Sequence, residues 1–280
     1  MGELARPVDV TLFVGTGHLT QRIVAASVMV PVTLGLTWWG GWPFNLLIIG
    51  AAGLLAREWS RLCGVDPQSG LGVALIAGTV LTLLAALVLD RHASAGLAGL
   101  GLSLPLFLLA NRSFGRQRAF WLGFGMMAIL PAGLSLVWMR ATEPHGLGLI
   151  CWVMAVVWVT DSAAFGVGRA VGGPLLAPKI SPAKTWAGLA GGLAAATLIG
   201  GAAPIVLGHA GVALAAFVGL VVGIAAALGD LFESYIKRKF KAKDSGGLIP
   251  GHGGVLDRLD SLLAAAPVTA AIYLAGWRWL

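Results

Sequence analysis

Nine apolar stretches, each close to the length of a membrane-spanning helix, follow one another along the chain. A helix needs about 20 mostly apolar residues to cross the hydrocarbon core of a bilayer. Polar or glycine-rich segments separate the stretches, which cover residues 23–39, 44–62, 71–89, 95–110, 119–139, 147–166, 187–207, 211–229 and 260–277. The fourth stretch is short, and the connection between the seventh and the eighth is tight. The pattern predicts an all-α integral membrane protein, a polytopic bundle of about nine transmembrane helices.

The composition agrees with this prediction and argues against a soluble domain. Hydrophobic residues make up 58% of the chain and charged residues 11%, whereas soluble domains average about 25% charged residues. The 41 glycines suit helices that approach closely in a membrane. Since no repeat or linker divides the chain, we expect a single membrane domain over residues 1–280, with N-terminal spans in residues 1–150 and the charged loops in residues 151–280.

The basic residues predict how the helices are oriented. Of the 19 Lys and Arg residues, all but Arg91, Arg140 and Arg278 fall in the N-terminal segment, at the end of the second stretch, or in the loops after the second, fourth, sixth and eighth stretches. In a nine-span chain these segments share one side, and the positive-inside rule makes that side cytoplasmic. We therefore expect a multi-pass protein of the bacterial cytoplasmic (inner) membrane. The net charge of +7 then reflects basic loops beside anionic lipid, with no nucleic-acid partner.

Charges of both signs are concentrated in residues 229–261, between two apolar stretches. Such charge is costly unless it is paired, hydrated or bound to a ligand, so this segment predicts a functional site. On a continuing helix, Asp230, Glu233, Ser234 and Lys237 lie on one face, because residues three and four apart are neighbours. A face of this kind can hold a hard cation and a phosphate side by side.

A glycine-rich loop follows in the same segment. Five glycines lie within residues 246–254, and glycine lets backbone amides approach phosphate oxygens closely. Asp257 and Asp260 then share a face of the next helix. Asp230 and Asp257, on separate helices that flank the loop, suit Mg²⁺, which prefers one or two carboxylates together with substrate phosphates and water. His252 fits either a phosphate donor or a simple turn residue.

A second polar island precedes the seventh span. Asp161 follows an apolar run, and Ser181 is predicted to cap a helix with Pro182 at its first position. Lys184 and Thr185 would then begin the seventh helix, where free amides and the helix dipole favour an anion. The count of basic residues puts this island on the same side of the membrane as residues 229–261.

The remaining polar residues predict little chemistry. Glu58, at the end of the second stretch, is interpreted as an interfacial polar residue. Cys63 and Cys151 are interpreted as plain thiols. The chain contains no Ser-His-Asp arrangement, paired-cysteine metal site or Walker-type phosphate loop.

The charged segment closely resembles the signature of phosphatidate cytidylyltransferases, also called CDP-diacylglycerol synthases. The matching residues are Ser-Tyr-Ile-Lys-Arg at 234–238, Lys-Asp-Ser-Gly at 243–246 and Ile-Pro-Gly-His-Gly-Gly-Val-Leu-Asp-Arg-Leu-Asp at 249–260. Two further segments are similar to that family, residues 229–234 and Lys-Ile-Ser-Pro-Ala-Lys-Thr-Trp at 179–186. The resemblance covers about residues 150–280. It departs from the family at Ala183 and Ala187, where the family commonly has Lys and Glu.

The resemblance implies an enzyme of phospholipid biosynthesis that converts CTP and phosphatidate into CDP-diacylglycerol and pyrophosphate. It implies a divalent metal, usually Mg²⁺ with the option of a second ion, on Asp230 and Asp257. The lipid phosphate would attack the α-phosphorus of CTP in line, and residues 151–280 would form the catalytic spans and cytoplasmic loops. The expected catalytic residues are Asp230, Asp257, Lys184, Lys237 and Arg258. The expected substrate-binding residues are Ser181, Thr185, Arg238, Lys243, Asp244, His252, Asp260 and Asp161.

Other functions stay open at this point. A transporter would also carry charge at membrane depth on glycine-interrupted helices. Another membrane lipid enzyme, such as a CTP-dependent lipid kinase, would release CDP in place of pyrophosphate. A CDP-alcohol phosphotransferase would carry an Asp-Gly-x₂-Ala-Arg pattern that this chain lacks. A purely structural membrane protein would leave the charged residues of segment 229–261 without a ligand. Helix faces rich in small residues make a homodimer plausible.

Overall fold

Nine α-helices and one β-hairpin make up the residues that the computed structural model describes, which are 16–90, 92–207, 211–247 and 253–279. The helices are α1 (Thr16–Trp39), α2 (Gly41–Leu62), α3 (Gly70–Val88), α4 (His92–Phe114), α5 (Arg116–Ala141), α6 (Gly146–Val171), α7 (Trp186–Leu207), α8 (Val212–Lys239) and α9 (Leu256–Leu274). The hairpin lies between α6 and α7 and consists of β1 (Leu175–Ala177) and β2 (Ser181–Thr185).

The helices confirm the prediction of an all-α polytopic membrane protein. Six of those described, α3 to α8, are long and apolar enough to cross a bilayer, and α1 contains a shorter apolar helix at Ser27–Trp39. The helices α2 and α9 carry charged residues at one end. The main difference in bounds concerns α8, which continues about three turns beyond the predicted end of its span at residue 229. The face of Asp230, Glu233 and Lys237 is therefore helical, as predicted.

Two hydrophobic clusters form the core of the described residues. One consists mainly of side chains from α2 to α5, and the other mainly of side chains from α6 to α9. The charged ends of α8 and α9 cross this division, because Ile236 and Leu256 are fully buried in the first cluster. The ends of α8 and α9 therefore rest on the N-terminal helices. The division of the chain near residue 150 into two functional halves stays a prediction.

The segments after α2, α4, α6 and α8 meet at one end of the bundle, which we call the charged face. The end of α2 and the segment after α8 line one cavity, in which Cys63 and Ala242 take part. The start of α5 and the end of α8 line another, with Arg116 and Lys239. The Arg238 Nε donates to the Ile180 carbonyl oxygen at 3.3 Å. The shared side that the count of basic residues predicted is thus present in the described residues, and its cytoplasmic orientation stays a prediction.

The β-hairpin corrects the prediction for the start of the seventh helix. Ser181 does not cap a helix: it belongs to β2, which pairs antiparallel with β1, and α7 begins at Trp186. Thr185 is the cap, since its Oγ1 accepts a hydrogen bond from the Gly188 N–H at 3.0 Å. A proline has no N–H to donate, but both strands of a two-stranded sheet are edges, so Pro182 is tolerated there. The Ser-Pro pair therefore fits an edge strand as well as a helix start.

Candidate active site

Three carboxylates from α8 and α9 meet at the charged face, and we call this group the acidic centre. It consists of Asp230, Glu233 and Asp260, each with an oxygen within 4.8 Å of the others. Helices α8 and α9 approach closely here because Gly229 precedes Asp230 on α8. A Cβ at Gly229 would lie 2.6 Å from the Asp260 carbonyl oxygen. The close approach brings the first turns of α9 against the carboxylate face of α8.

Two lysines reach the acidic centre from different directions. Lys184, on β2, places its Nζ 2.5 Å from the Asp230 Oδ2. Lys237, one turn beyond Glu233 on α8, places its Nζ 2.6 Å from the Glu233 Oε2 and 2.8 Å from the Asp257 Oδ1. The hairpin therefore places Lys184 beside α8. Lys237 bridges Glu233 of α8 and Asp257 of α9.

The carboxylate oxygens of the acidic centre are suitable ligands for a hard divalent cation. Glu233 is buried, and its Oε1 has no hydrogen-bond partner among the described residues. Asp161 lies at the edge of the group, where its Oδ1 accepts from the Ser261 Oγ at 3.3 Å. Burying an unpartnered carboxylate oxygen is costly, and carboxylate oxygens are the ligands that Mg²⁺ prefers. The residues therefore fit a metal ion.

Asp257 lies beside the acidic centre and is heavily hydrogen-bonded. Its Oδ2 accepts from the Gly254 N–H at 2.9 Å and from the Ser245 Oγ at 3.0 Å, and the Ser245 N–H lies 3.1 Å away. Its Oδ1 accepts from the Lys237 Nζ at 2.8 Å. A carboxylate has about four lone-pair sites, so Asp257 would have to exchange a donor to bind a metal ion. The predicted metal pair of Asp230 and Asp257 stays a prediction.

Glu58 is a residue that sequence reasoning misjudged. The interpretation as an interfacial polar residue is wrong, because Glu58 is 0% exposed. Its Oε1 accepts from the Val255 N–H at 3.0 Å, and its Oε2 accepts from the Leu256 N–H at 2.8 Å and the Ser245 Oγ at 3.1 Å. These partners lie 187 to 198 residues away along the chain, so no local pattern around Glu58 could have revealed them.

The other predicted residues occupy several positions on the charged face. Ser181 is half-buried in the hairpin, and Arg238, Lys243, Asp244 and Arg258 are exposed. His252 lies outside the described residues. The structure thus brings Asp161, Lys184, Lys237 and Asp257 to the acidic centre or its rim, and Arg238 contacts the hairpin at the Ile180 carbonyl oxygen.

Two cation-lined cavities lie next to these residues. The larger, of about 500 Å³, is lined by Phe114, Gly115, Arg116, Gln117, Arg118, Lys239, Phe240 and Lys241. The smaller, of about 250 Å³, is lined by Arg61, Arg118 and Asp244 among others, and it reaches Ser245 in the loop beside Asp257. The charged residues that line the larger cavity are all cations, and clefts lined by one sign of charge raise the local concentration of oppositely charged ligands. This face is therefore suited to polyanions.

Comparison with known proteins agrees with the geometry. A family model described as "Cytidylyltransferase family" matches residues 20–275. The chain is 41% identical over 271 residues to the phosphatidate cytidylyltransferase of Brucella suis, covering 92% of this chain and 93% of the relative. It is 42% identical over 277 residues to that of Pseudomonas aeruginosa, covering 92% and 98%, and 32% identical over 294 residues to that of Haemophilus influenzae, covering 91% and 98%. The match confirms the resemblance and extends it over the N-terminal helices: this chain belongs to the cytidylyltransferase family of enzymes.

Proposed function

We propose that the protein is the enzyme that forms CDP-diacylglycerol and pyrophosphate from CTP and phosphatidate. An oxygen of the lipid phosphate forms a bond to the α-phosphorus of CTP, and the bond from that phosphorus to the bridging oxygen of the β-phosphate breaks. The relatives named phosphatidate cytidylyltransferase support this proposal. The observation that carries it is the acidic centre with Lys184 and Lys237, at the end of apolar helices.

The chain's own residues would act by binding and orienting phosphate groups. The lipid phosphate is already largely anionic at neutral pH, since phosphate monoesters have a second pKa of about 6, so a strong general base is not required. Lys184 and Lys237 are the proposed phosphate contacts nearest to the acidic centre. The Lys184 side chain is 27% exposed, which allows it to turn from Asp230 towards a bound anion. Fixed positive groups aimed at the transferring phosphoryl group stabilise its charge.

We infer that Asp230 and Asp260, supported by Glu233, hold a divalent cation, with Mg²⁺ as the expected ion. A bound Mg²⁺ would supply positive charge to phosphate oxygens. Asp257 stays a proposed ligand that would first exchange one of its donors. In the present arrangement its visible role is to hold Lys237 beside Glu233.

The membrane supplies one substrate and the aqueous side the other. Phosphatidate would enter laterally between the helices, with its headgroup at the charged face. CTP would approach that face from water, past the basic cavities at Arg116 and Arg118. We propose that the charged face is cytoplasmic and that the protein resides in the inner membrane. Homodimer formation stays a prediction.

The proposal is tested with the purified full-length protein in detergent, CTP, Mg²⁺ and phosphatidate. We expect release of pyrophosphate and formation of CDP-diacylglycerol in equal amounts, and neither product when phosphatidate is omitted. A parallel reaction with diacylglycerol identifies a lipid kinase, which would release CDP and form phosphatidate. Release of CDP only, or solute flux into liposomes without CTP turnover, would contradict the proposal.

A further inference from the structure

Glu58 joins the N-terminal half of the molecule to the site. It lies near the end of α2, and its fully buried carboxylate accepts hydrogen bonds from Ser245, Val255 and Leu256. Burying a carboxylate is costly, and a buried apolar residue would pack α2 against α9 without that cost. A role beyond packing is therefore indicated.

We propose that Glu58 is a positioning residue for cytidylyl transfer: it fixes Ser245 and the start of α9, so that Asp257 holds Lys237 beside the acidic centre. This inference rests on the proposed function. It assigns to the first half of the chain a part in the reaction that the sequence did not predict.

The start of α9 depends on Glu58 for hydrogen-bond partners. The first amides of a helix have no partner within it, and Val255, at the N-cap, has no side-chain oxygen to accept from them. Glu58 accepts from the amides of Val255 and Leu256 and so caps α9 from another helix. Its negative charge also lies at the positive end of the helix dipole. Because the same end of α9 carries Asp257 and Asp260, the cap fixes where both carboxylates stand.

The hydroxyl group of Ser245 lies between Glu58 and Asp257. The Ser245 Oγ lies 3.1 Å from the Glu58 Oε2 and 3.0 Å from the Asp257 Oδ2. A hydroxyl has one hydrogen to donate, so the two carboxylates share this donor. The Ser245 N–H also points to Asp257. Any shift of Ser245 that follows the loss of Glu58 is therefore passed directly to Asp257.

The backbone lies close against the Glu58 carboxylate at two glycines. A Cβ at Gly254 would lie 2.5 Å from the Glu58 Oε2, and a Cβ at Gly246 would lie 2.8 Å from the Glu58 Oε1. Both ends of the glycine-rich segment thus rest on Glu58. The Gly254 N–H in turn donates to Asp257 at 2.9 Å. The carboxylate of Glu58 is a fixed surface against which the two amide donors of Asp257 are held.

The test compares the full-length enzyme with its Glu58→Ala and Glu58→Gln variants under saturating CTP, phosphatidate and Mg²⁺. We expect Glu58→Ala to lower kcat roughly 10- to 100-fold, the usual cost of losing a group that orients a site residue, with the KM for CTP unchanged. The kcat of Glu58→Gln should lie between those of the wild type and Glu58→Ala, because one amide oxygen can accept at most two of the three hydrogen bonds. The matched control is Ser60→Ala. Ser60 lies on the same helix as Glu58, and the change removes its buried hydrogen bond to the Val65 carbonyl oxygen. It should lower the thermal unfolding temperature and leave kcat unchanged.

A second measurement separates positioning from folding. In a double-mutant cycle, Glu58→Gln should cost less in a Ser245→Ala background than in the wild type, because both changes break one route to Asp257. If Glu58→Ala does not yield folded protein, the Gln variant and this cycle decide. A wild-type kcat in folded Glu58→Gln, or strictly additive effects in the cycle, would overturn the inference. An inactive wild type would instead contradict the proposed function.

Discussion

The acidic centre and the pair of carboxylates formed by Glu58 and Asp257 lie side by side at the start of α9, but their carboxylates are hydrogen-bonded very differently. Glu58 accepts three hydrogen bonds, and four donor groups lie within reach of Asp257. In the acidic centre, by contrast, the buried Glu233 Oε1 has no hydrogen-bond partner among the described residues. The comparison teaches that one group of carboxylates is occupied in holding the backbone, whereas the other leaves oxygens for a cation.

Lys237 connects the two regions. Its ammonium group lies 2.6 Å from the Glu233 Oε2 and 2.8 Å from the Asp257 Oδ1. A displacement in the loop can thus reach the acidic centre through a single side chain. The acidic centre is proposed to bind the cation, and Glu58 and Asp257 are proposed to position Lys237 beside it. Variants of each region should therefore separate cation binding from the positioning of Lys237.

The largest effect is expected when the acidic centre itself is broken. We expect Asp230→Asn to reduce CDP-diacylglycerol formation by at least about 10³-fold, since the loss of a single preorganised electrostatic group already costs about 10²–10³. The change is isosteric, so the variant should remain folded. Asp66→Asn is the matched control, because Asp66 is exposed on the same face and its Oδ1 accepts a local hydrogen bond from the Gln68 N–H. If Asp230→Asn kept more than a tenth of the wild-type activity, the proposed role of the acidic centre in the reaction would be contradicted.

A smaller effect is expected for Lys184. We expect Lys184→Ala to lower kcat/KM roughly 10- to 100-fold, as for other groups that orient a site from outside, because Asp230 loses its partner and a phosphate loses a contact. Lys179→Ala, which removes an exposed lysine of the same hairpin, should leave the rates unchanged. Steady-state kinetics with each substrate varied in turn decide the matter. An unchanged KM for both substrates together with an unchanged kcat would refute the phosphate contact.

The sequence predicted the helices and the carboxylate face of α8 because both depend on local patterns. Apolar length defines a membrane helix, and the spacing of Asp230, Glu233 and Lys237 defines a helix face. The sequence paired Asp230 with Asp257, whereas the structure groups Asp230 with Glu233 and Asp260. Both aspartates lie on one face of α9, so the spacing alone does not tell them apart. The choice depends on how α9 is rotated against α8, which the close contact at Gly229 determines.

The sequence missed the contacts that join distant segments. The role of Glu58 depends on Ser245, which is 187 residues away. The hairpin was missed for another reason, because Ser181 and Pro182 suit a helix start and an edge strand equally well. Only the pairing of β2 with β1 distinguishes the two.

The most direct test of the account measures metal binding without turnover. Binding of Mn²⁺, used as a probe for Mg²⁺, is followed by the electron paramagnetic resonance signal of the free ion in the presence of purified full-length protein. We expect the wild type and Asp66→Asn to bind the ion equally and Asp230→Asn to lose that binding while it remains folded. Equal binding by Asp230→Asn and the wild type would contradict the claim that the acidic centre holds the cation.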